Sequence, residues 1–359
     1  MNNNILYLLP SYNLYGGTPK KTLDLINHSN NRCFIYIWGN TYGDDFKDLF
    51  ENSNAILFEG PNGRNILKHV SNLLNIIDKH NIQVIQSQFS FGEILAVLIK
   101  MMRPKVKIVI AFVGPFSPRG IKKFILKYIY IKVDFFVFIS EFVKKEKMNA
   151  FPILIKKENQ IIYNGTEERH DNSYKLDEMQ GISLLDIAGL VDWKNAEVLI
   201  RTMIKLSNIN SKIHLYIAGD GPMKSRLEAM IRSNGLEDNV FLLGYQSNIG
   251  SLLKQCDIFV HPAYEEGFGI AVAEAMIAEK PIIVANAGAL PELIENEKTG
   301  LIVDPFNAEE WADAIIRLIE DKELASKLGF NAKKKATAEF SIEKFVSNYE
   351  QLYDHLLNK

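Results

Sequence analysis

The sequence predicts an α/β protein with two domains, each built around a parallel β-sheet. Along the whole chain, short apolar runs of strand length alternate with amphipathic segments of helical length, which is the pattern of repeated β-α-β units. The chain has 359 residues, above the roughly 250–300 at which one hydrophobic core usually divides. A polar stretch from Asn164 to Gln180 lacks apolar periodicity and marks the expected boundary.

The first half of the chain contains seven strand candidates separated by helical patterns. One of these patterns, Ile66–Lys79, repeats apolar residues close to every 3.6 positions. The strand candidates are Ile5–Leu9, Phe34–Trp38, Ile56–Phe58, Val84–Gln86, Ile108–Phe112, Phe135–Ile139 and Ile161–Tyr163.

The second half repeats this order with six strand candidates and then becomes helical. Helices are expected at Ile270–Ile277, at Ala308–Asp321, from about Glu323, and from about Ser341 to Leu357. We therefore expect an N-terminal domain at residues 1–165, a C-terminal domain at 166–340 and a terminal helix at 341–359. The strand candidates are Ile182–Ala188, Ile213–Ala218, Val240–Leu243, Ile258–His261, Ile282–Ala285 and Leu301–Val303.

The two halves carry opposite charge. Residues 1–165 hold 21 Lys and Arg against 12 Asp and Glu, a balance of +9, whereas residues 166–359 hold 20 against 31, a balance of −11. The basic excess, densest in 79–159, has two interpretations: a solvated face that keeps the protein soluble, or contact with an anionic membrane surface. Nucleic acid is not an expected partner, because no recognition motif accompanies the basic residues.

Composition favours a cytoplasmic protein, with peripheral contact at the inner face of the plasma membrane as an option. The only two cysteines, Cys33 and Cys256, lie beside apolar stretches, where buried thiols are expected rather than a disulfide or a metal site. The N-terminus has neither the basic start nor the long apolar run of a signal peptide. No stretch approaches the ~18 apolar residues of a membrane span.

Ligands of open parallel sheets bind beyond the carboxyl ends of the strands, and two glycine-containing loops are predicted there. Gly16 and Gly17 follow the first strand, where their backbone amides can approach a phosphate at a helix start. Gly219 follows the strand that ends at Ala218. For both loops a simple turn without a ligand is the alternative.

A third loop, His261-Pro-Ala-Tyr-Glu-Glu266-Gly-Phe-Gly269, leads from the predicted strand Ile258–His261 into the helix Ile270–Ile277. Its glycines expose amides at the helix N-terminus, an arrangement suited to a diphosphate. Glu274, about one turn into the helix, can accept two hydroxyl hydrogen bonds from a ribose, and Glu266 can reach the sugar end of the same ligand. The alternative is that both glutamates are exposed charges favourably placed near a helix start. A fourth loop, from Asn286 to Glu292, follows the next strand.

These loops belong to an ordered series that resembles the donor domain of the family-4 retaining glycosyltransferases. The series runs through residues 213–304, and weaker resemblance at Gly16-Gly17, Ser140-Glu141, Asn164-Gly165 and Lys194 extends over the rest of the chain. Its members are Gly219-Asp-Gly-Pro222, Val240-Phe-Leu-Leu-Gly244, Asp257-Ile-Phe-Val-His-Pro262, Glu266-Gly-Phe-Gly269, Glu274-Ala-Met276, Pro281, Gly288, Glu292 and Thr299-Gly-Leu-Ile-Val303.

The resemblance implies a GT-B fold, in which two Rossmann-like domains face each other across a cleft and the C-terminal helix crosses back onto the first domain. The first domain would serve the acceptor and the second the donor. The resemblance also implies a hexosyltransferase that needs no metal or cofactor. It would move a sugar, with retention, from a nucleotide-diphosphate sugar, UDP-linked by preference, to a glycan or lipid-diphosphate-linked acceptor in bacterial surface polysaccharide synthesis.

The family's functional residues carry over one by one onto matching positions. Lys194 would clamp the donor diphosphate and Glu266 would face the donor sugar, which makes these two the predicted catalytic residues. Glu274 would hold the ribose hydroxyls. The other predicted donor-binding positions are Gly16, Gly17, Gly219, Gly267, Phe268, Gly269 and Ile270.

Two positions depart from the family pattern. Gly189 stands where the family commonly has arginine, and Val113 stands where it commonly has histidine. Valine cannot hydrogen-bond a donor hydroxyl, so other residues would have to hold the donor. Arg119 and Lys122 are candidates on charge grounds, with an exposed, solubilising role as the alternative, and Val113 and Arg119 mark the expected acceptor-side or first-domain site. The alternatives are a catalytically degenerate partner protein, or another enzyme of nucleotide sugars such as an epimerase.

Overall fold

The computed structural model describes residues 3–12, 17–39, 46–61, 63–168, 179 and 181–359. These residues form two compact units, one of residues 1–165 together with 342–359 and one of residues 166–341, which we call the first and second domains. Of the predicted linker, residues 169–178 and 180 lie outside the described residues. Within the part of the chain that is described, none of the helices is long and apolar enough to cross a bilayer.

The first domain is a seven-stranded parallel sheet with the strand order β3-β2-β1-β4-β5-β6-β7. Its strands are β1 Asn4–Leu9, β2 Arg32–Ile37, β3 Ala55–Glu59, β4 Val84–Ser87, β5 Lys107–Phe112, β6 Phe135–Phe138 and β7 Asn159–Ile161. Its helices up to residue 165 are α1 Gly17–His28, α2 Lys47–Glu51, α3 Ile66–His80, α4 Ser90–Met102, α5 Gly120–Ile129 and α6 Glu141–Ala150.

The second domain is a six-stranded parallel sheet with the strand order β10-β9-β8-β11-β12-β13. Its strands are β8 Ile182–Ile187, β9 Ile213–Ala218, β10 Val240–Gly244, β11 Ile258–His261, β12 Ile282–Ala285 and β13 Leu301–Val303. Its helices are α7 Ala196–Ile209, α8 Lys224–Ser233, α9 Ile249–Gln255, α10 Ile270–Ile277, α11 Leu290–Leu293, α12 Ala308–Glu320 and α13 Lys322–Glu339. The prediction of two parallel-sheet α/β domains is confirmed.

The last helix, α14 Ile342–Leu357, belongs to the first domain although it follows the second along the chain. It lies beside α1, and its apolar face enters the first domain's hydrophobic core. The hydroxyl of Tyr353 donates to Gln86 Oε1 of β4 at 2.6 Å and lies 3.2 Å from the hydroxyl of Tyr7 on β1. The α14 residues in that core are Ile342, Phe345, Val346, Tyr349, Leu352, Tyr353 and Leu356.

Candidate functional site

The second sheet reverses its strand order between β8 and β11, the topological position at which parallel sheets bind ligands. Near their carboxyl ends, these mostly apolar strands carry two titratable residues: Asp186 on β8 and His261, the last residue of β11. Both side chains are buried, and His261 Nδ1 lies 2.9 Å from Asp186 Oδ1. The site is built upward from this buried pair.

The loops after β8 and β11 extend the pair toward solvent. His261 Nε2 lies 3.3 Å from Glu266 Oε2, and Lys194 Nζ donates to the same carboxylate oxygen. The backbone amide of Gly267 donates to Glu266 Oε1 at 3.1 Å. We call Asp186, His261, Glu266 and Lys194 the charge chain; it runs from the buried strands to side chains of Glu266 and Lys194 that are 14% and 22% exposed.

A short turn positions Lys194. Residues Asp192–Lys194 form one turn of 3₁₀ helix, and the next residue, Asn195, has left-handed backbone conformation, which asparagine tolerates. The Asn195 side-chain amide donates to the carbonyls of Pro262 at 3.2 Å and Pro305 at 2.7 Å. These bonds fix the turn against the loops after β11 and β13, so the lysine is held beside Glu266.

The pKa values of Glu266 and His261 favour the charged forms of both groups. Burial would raise the pKa of the Glu266 carboxyl, but the charges of Lys194 and His261 outweigh it and hold that pKa well below its usual range. Burial would likewise lower the pKa of His261, yet its hydrogen bonds to Asp186 and Glu266 raise it above the usual value. Both ring nitrogens of His261 face carboxylate oxygens, which only accept, so the arrangement fits an imidazolium that donates twice.

The fourth predicted loop, from Asn286 to Glu292, packs closely against the backbone of Glu266. Gly288 has a φ of 57°, and a Cβ there would lie 2.6 Å from the carbonyl oxygen of Glu266. The next amide, that of Ala289, donates to the same oxygen at 2.9 Å. Glycine is therefore required at position 288 so that this loop can approach Glu266. The hydrogen bond from Ala289 joins the two loops at this edge of the site.

The predicted donor-binding residues at the start of α10 lie in two environments. Gly267, Gly269 and Ile270 lie at the start of α10 beside Glu266, as the sequence suggests. Phe268 is buried and packs edge to face on Phe340, with ring centroids 5.6 Å apart, so only its backbone can contribute to binding.

Glu274 and Gly219 lie away from the contacts of the charge chain. Glu274 is buried one turn into α10 and lines a small cavity of about 50 Å³ with Gly250, Leu253 and Ile277. Gly219 has a φ of 155°, and a Cβ there would meet the Ala188 carbonyl oxygen at 1.8 Å. Backbone packing alone thus explains glycine at position 219, and its part in donor binding stays a prediction.

The residues predicted for the first-domain site carry fewer polar side chains than the charge chain does. Gly17 is exposed at the start of α1, while Gly16 lies outside the described residues. Val113 is half-buried directly after β5, and Arg119 is exposed directly before α5. The structure therefore brings Lys194 and Glu266 together, and it leaves Val113 and Arg119 on a loop of a different domain.

Two titratable residues of the first domain, Lys147 and Glu93, are buried, and Lys147 contacts that loop. Lys147 of α6 donates to the carbonyl of Phe116, and its ammonium lies 5.2 Å from the centre of the Phe112 ring. Burial lowers the pKa of Lys147 to about 8 and raises the pKa of Glu93, which accepts from Tyr130 at 3.1 Å, to about 7. Lys147 lies within the basic excess of residues 79–159, but its side chain is buried and supports the loop from within, so it belongs neither to a solvated face nor to a membrane contact.

Sequence reasoning did not single out Asp186, and it gave His261 no role of its own although His261 lies within the motif Asp257-Ile-Phe-Val-His-Pro262. Their signal is a charged or titratable residue at the carboxyl end of an apolar strand, where burial demands a partner.

For metal ligands, the residues with described positions contain no group of three or more His, Cys, Asp or Glu side chains arranged to hold an ion.

Comparison with known proteins is most informative for the second domain. Residues 167–335 match the family model of glycosyl transferases group 1, a segment that contains the whole charge chain. The chain is 30% identical over 210 residues to N-acetyl-alpha-D-glucosaminyl L-malate synthase of Bacillus anthracis, across 56% of this chain and 55% of that enzyme.

Another relative is the N,N'-diacetylbacillosaminyl-diphospho-undecaprenol alpha-1,3-N-acetylgalactosaminyltransferase of Campylobacter jejuni. It is 36% identical over 118 residues, which are 33% of this chain and 31% of that enzyme. This chain thus matches about half the length, or less, of these two curated relatives.

Among solved structures, that of Anabaena HepE in complex with UDP and glucose superposes with a TM-score of 0.84 at 19% identity. The superposition covers 99% of this chain and 100% of that one. The likeness confirms the predicted GT-B fold with its two Rossmann-like domains.

Proposed function

We propose that this chain, whose residues 167–335 match the family model of glycosyl transferases group 1, is a retaining, metal-independent glycosyltransferase. It moves a sugar from a nucleotide-diphosphate sugar, preferably UDP-linked, to a glycan or lipid-linked acceptor in surface polysaccharide synthesis. The observation that carries the proposal is the charge chain, which ends on Lys194 and Glu266 beside the N-terminus of α10. The Lys194 cation and the N-terminus of α10 suit a diphosphate, and the Glu266 carboxylate suits a sugar hydroxyl.

In this mechanism Lys194 exchanges Glu266 for the donor diphosphate. Negative charge grows on the leaving diphosphate as the glycosidic bond breaks, so a cation held in place there favours the transition state over the ground state. Glu266 stays ionised after the exchange, because the imidazolium of His261 remains its partner. The carboxylate is then available to accept a hydrogen bond from a donor-sugar hydroxyl.

His261 and Asp186 act as positioning residues in this scheme. Gly189 leaves the donor domain without the arginine that the family resemblance leads one to expect, and His261 supplies a second positive charge from beneath the site. Asp186 fixes the ring through Nδ1, so that Nε2 points at Glu266. Glu274 is assigned to the ribose hydroxyls, and the backbone of Gly267–Ile270 to the diphosphate.

The names of relatives support the donor and acceptor classes. HepE was crystallised with UDP and with UDP-glucose, which supports a UDP-linked sugar as the donor for this chain. The Campylobacter jejuni relative is named for a diphospho-undecaprenol substrate, which supports an acceptor carried on a lipid diphosphate.

A donor panel tests the proposal. Thermal unfolding of the full chain with UDP-, GDP- and other nucleotide sugars should show stabilisation by at least one UDP-sugar, because a ligand that binds only the folded state raises Tm. Lys194→Ala should abolish both that stabilisation and transfer to a lipid-linked acceptor. Lys205→Ala removes another ion-paired lysine of the second domain and serves as the matched control. Equal transfer by Lys194→Ala and Lys205→Ala would refute the site.

A second candidate is a non-catalytic partner protein that keeps the fold. Gly189 and Val113 favour it, since each removes a polar group from the family pattern. It predicts a folded protein that no nucleotide sugar stabilises and that turns over no donor. An epimerase-like enzyme would instead convert the donor without any acceptor, so the panel includes reactions from which the acceptor is omitted.

A further inference from the structure

Helix α5 turns a face of large apolar side chains toward solvent. Ile121, Phe124, Ile125 and Tyr128 recur at the i, i+3, i+4 and i+7 positions of one helix face. Their exposed fractions range from 43% for Ile125 to 79% for Ile121. Phe116 before the helix and Ile131 after it are also exposed, at 60% and 48%. We call these six residues the α5 face.

The opposite side of α5 explains why this face is exposed. Leu126 and Tyr130 are the buried residues of the segment, and at about 100° per residue they lie roughly opposite the stripe from Ile121 to Tyr128. The helix is therefore anchored by one narrow edge. The rest of its apolar surface points away from the first domain's core.

Positive charge surrounds the α5 face. Between Phe116 and Val133 the sequence contains five cations and no carboxylate. Lys122 and Lys127 lie on the two flanks of the stripe by the same angular reckoning, where long side chains can extend to a polar boundary while their stems cover apolar surface. The five cations are Arg119, Lys122, Lys123, Lys127 and Lys132.

We infer that the α5 face docks on an anionic lipid bilayer. An apolar helix face with Phe, Ile and Tyr on one side and lysines on its flanks fits the boundary between headgroups and acyl chains. The lack of carboxylates in the segment matches a uniformly negative surface better than a protein partner of mixed charge. Ten residues of helix span only about 15 Å, half of the hydrocarbon thickness, so α5 would lie in the plane of the interface.

Of the basic residues in 79–159, those that surround α5 are the ones assigned to the membrane contact. None of the six residues of the α5 face belongs to the charge chain or to the predicted first-domain site. Membrane binding and sugar transfer can therefore fail separately.

Vesicle sedimentation of the full chain tests it. Wild-type protein should bind vesicles of phosphatidylglycerol and phosphatidylcholine at least tenfold better than pure phosphatidylcholine vesicles. Binding should weaken as ionic strength rises from about 0.1 M to about 1 M, where the Debye length shortens from about 10 Å to about 3 Å. Absent or salt-independent binding would overturn the inference.

Matched variants locate the contact. The double variant Ile121→Glu, Phe124→Glu should lose at least tenfold in anionic vesicle binding, whereas Phe330→Glu, at a similarly exposed phenylalanine of the second domain, should bind like wild type. Equal binding by the two variants would refute the α5 face, and unchanged Tm shows that both fold. Phe124→Trp provides an independent readout, since brominated lipids should quench its fluorescence and leave a Phe330→Trp variant unquenched. If light scattering shows that the double variant converts a dimer to a monomer, a second copy of the chain occupies the face and the inference is wrong.

Discussion

Each of the two sheets reverses its strand order once, and the residues at that position differ in kind between the two domains. In each sheet the strand order reverses between two neighbouring strands, β1 and β4 in the first domain and β8 and β11 in the second. The first pair carries the neutral groups Tyr7 and Gln86, which are bonded to Tyr353 of α14. The second pair carries Asp186 and His261, which connect to Glu266 and Lys194.

This difference separates a structural use of the position from a chemical one. The neutral network of the first domain is enclosed and secures a helix. The charged network of the second domain reaches the partly exposed side chains of Glu266 and Lys194. In the proposed mechanism Lys194 leaves Glu266 and binds the donor diphosphate. Chemistry is therefore expected in the second domain, while the first contributes a supporting surface.

The largest expected effect is on turnover. Glu266→Gln keeps the shape of the side chain and removes its charge, and transfer should fall by about 10³-fold, equivalent to about 4 kcal/mol. The neighbouring Glu265→Gln is the control and should retain wild-type turnover. Initial rates with donor and acceptor measure both. If Glu266→Gln stays within threefold of wild type, the second domain is not where the proposed chemistry lies.

The next effect is on stability and its pH dependence. The pKa of His261 is raised in the folded state, so the stability that its charge provides is full below its unfolded value of about 6.5 and is lost as pH rises through the folded pKa. Asp186→Asn should lower the free energy of unfolding by about 3 kcal/mol near pH 6 and by clearly less near pH 9. Urea unfolding at both pH values measures this, with the exposed Asp313→Asn as the control. The same loss at both pH values would show that Asp186 acts by packing alone.

A third effect sharpens the contrast within the first domain. Burial raises the pKa of Glu93 to about 7, so the wild-type protein loses stability as pH rises from the ordinary glutamate range toward that value. Glu93→Gln removes this titration. Relative to wild type, the variant should gain about 2 kcal/mol in unfolding free energy between pH 5 and pH 8. Parallel stability curves for the two proteins would show that Glu93 does not titrate in this range.

The smallest effect is expected in the neutral network. Tyr353→Phe removes one buried hydroxyl and should cost about 1 kcal/mol of unfolding free energy. Burial raises the pKa of Tyr353 well above its usual value, so this cost should be the same at pH 6 and pH 9. Urea unfolding at both pH values is the measurement. A cost that varies with pH would mean that the first domain's central position is coupled to a charge after all.

Sequence reasoning captured the fold where apolar pattern and structure have the same cause. The strands Ile258–His261 and Ile282–Ala285 and the helix Ile270–Ile277 have the predicted bounds, because each is a buried apolar run that ends in turn-forming residues. At the sheet edge the pattern failed. Strand β7 is Asn159–Ile161 rather than Ile161–Tyr163, since an edge strand with one neighbour accommodates the polar Asn159 and Gln160.

The site was predictable only where its residues share one loop. Glu266 and the glycines after it stand within five positions, and the resemblance to a family added Lys194. Asp186 and His261 are 75 positions apart and meet only because β8 pairs with β11, a register that spacing does not reveal. The burial of Lys147 was not predictable for a related reason: charge alone does not tell whether a lysine on α6 points outward or beneath the loop after β5.

The return of α14 to the first domain has a consequence for synthesis on the ribosome. Residues 1–165 emerge first, but the core that they form stays incomplete until residues 342–359 have been translated. The continuous second domain, residues 166–341, has all of its own core by then and can fold while the first domain still exposes the apolar surface that α14 will cover. The nascent first domain must therefore remain protected from aggregation for the time needed to make the second.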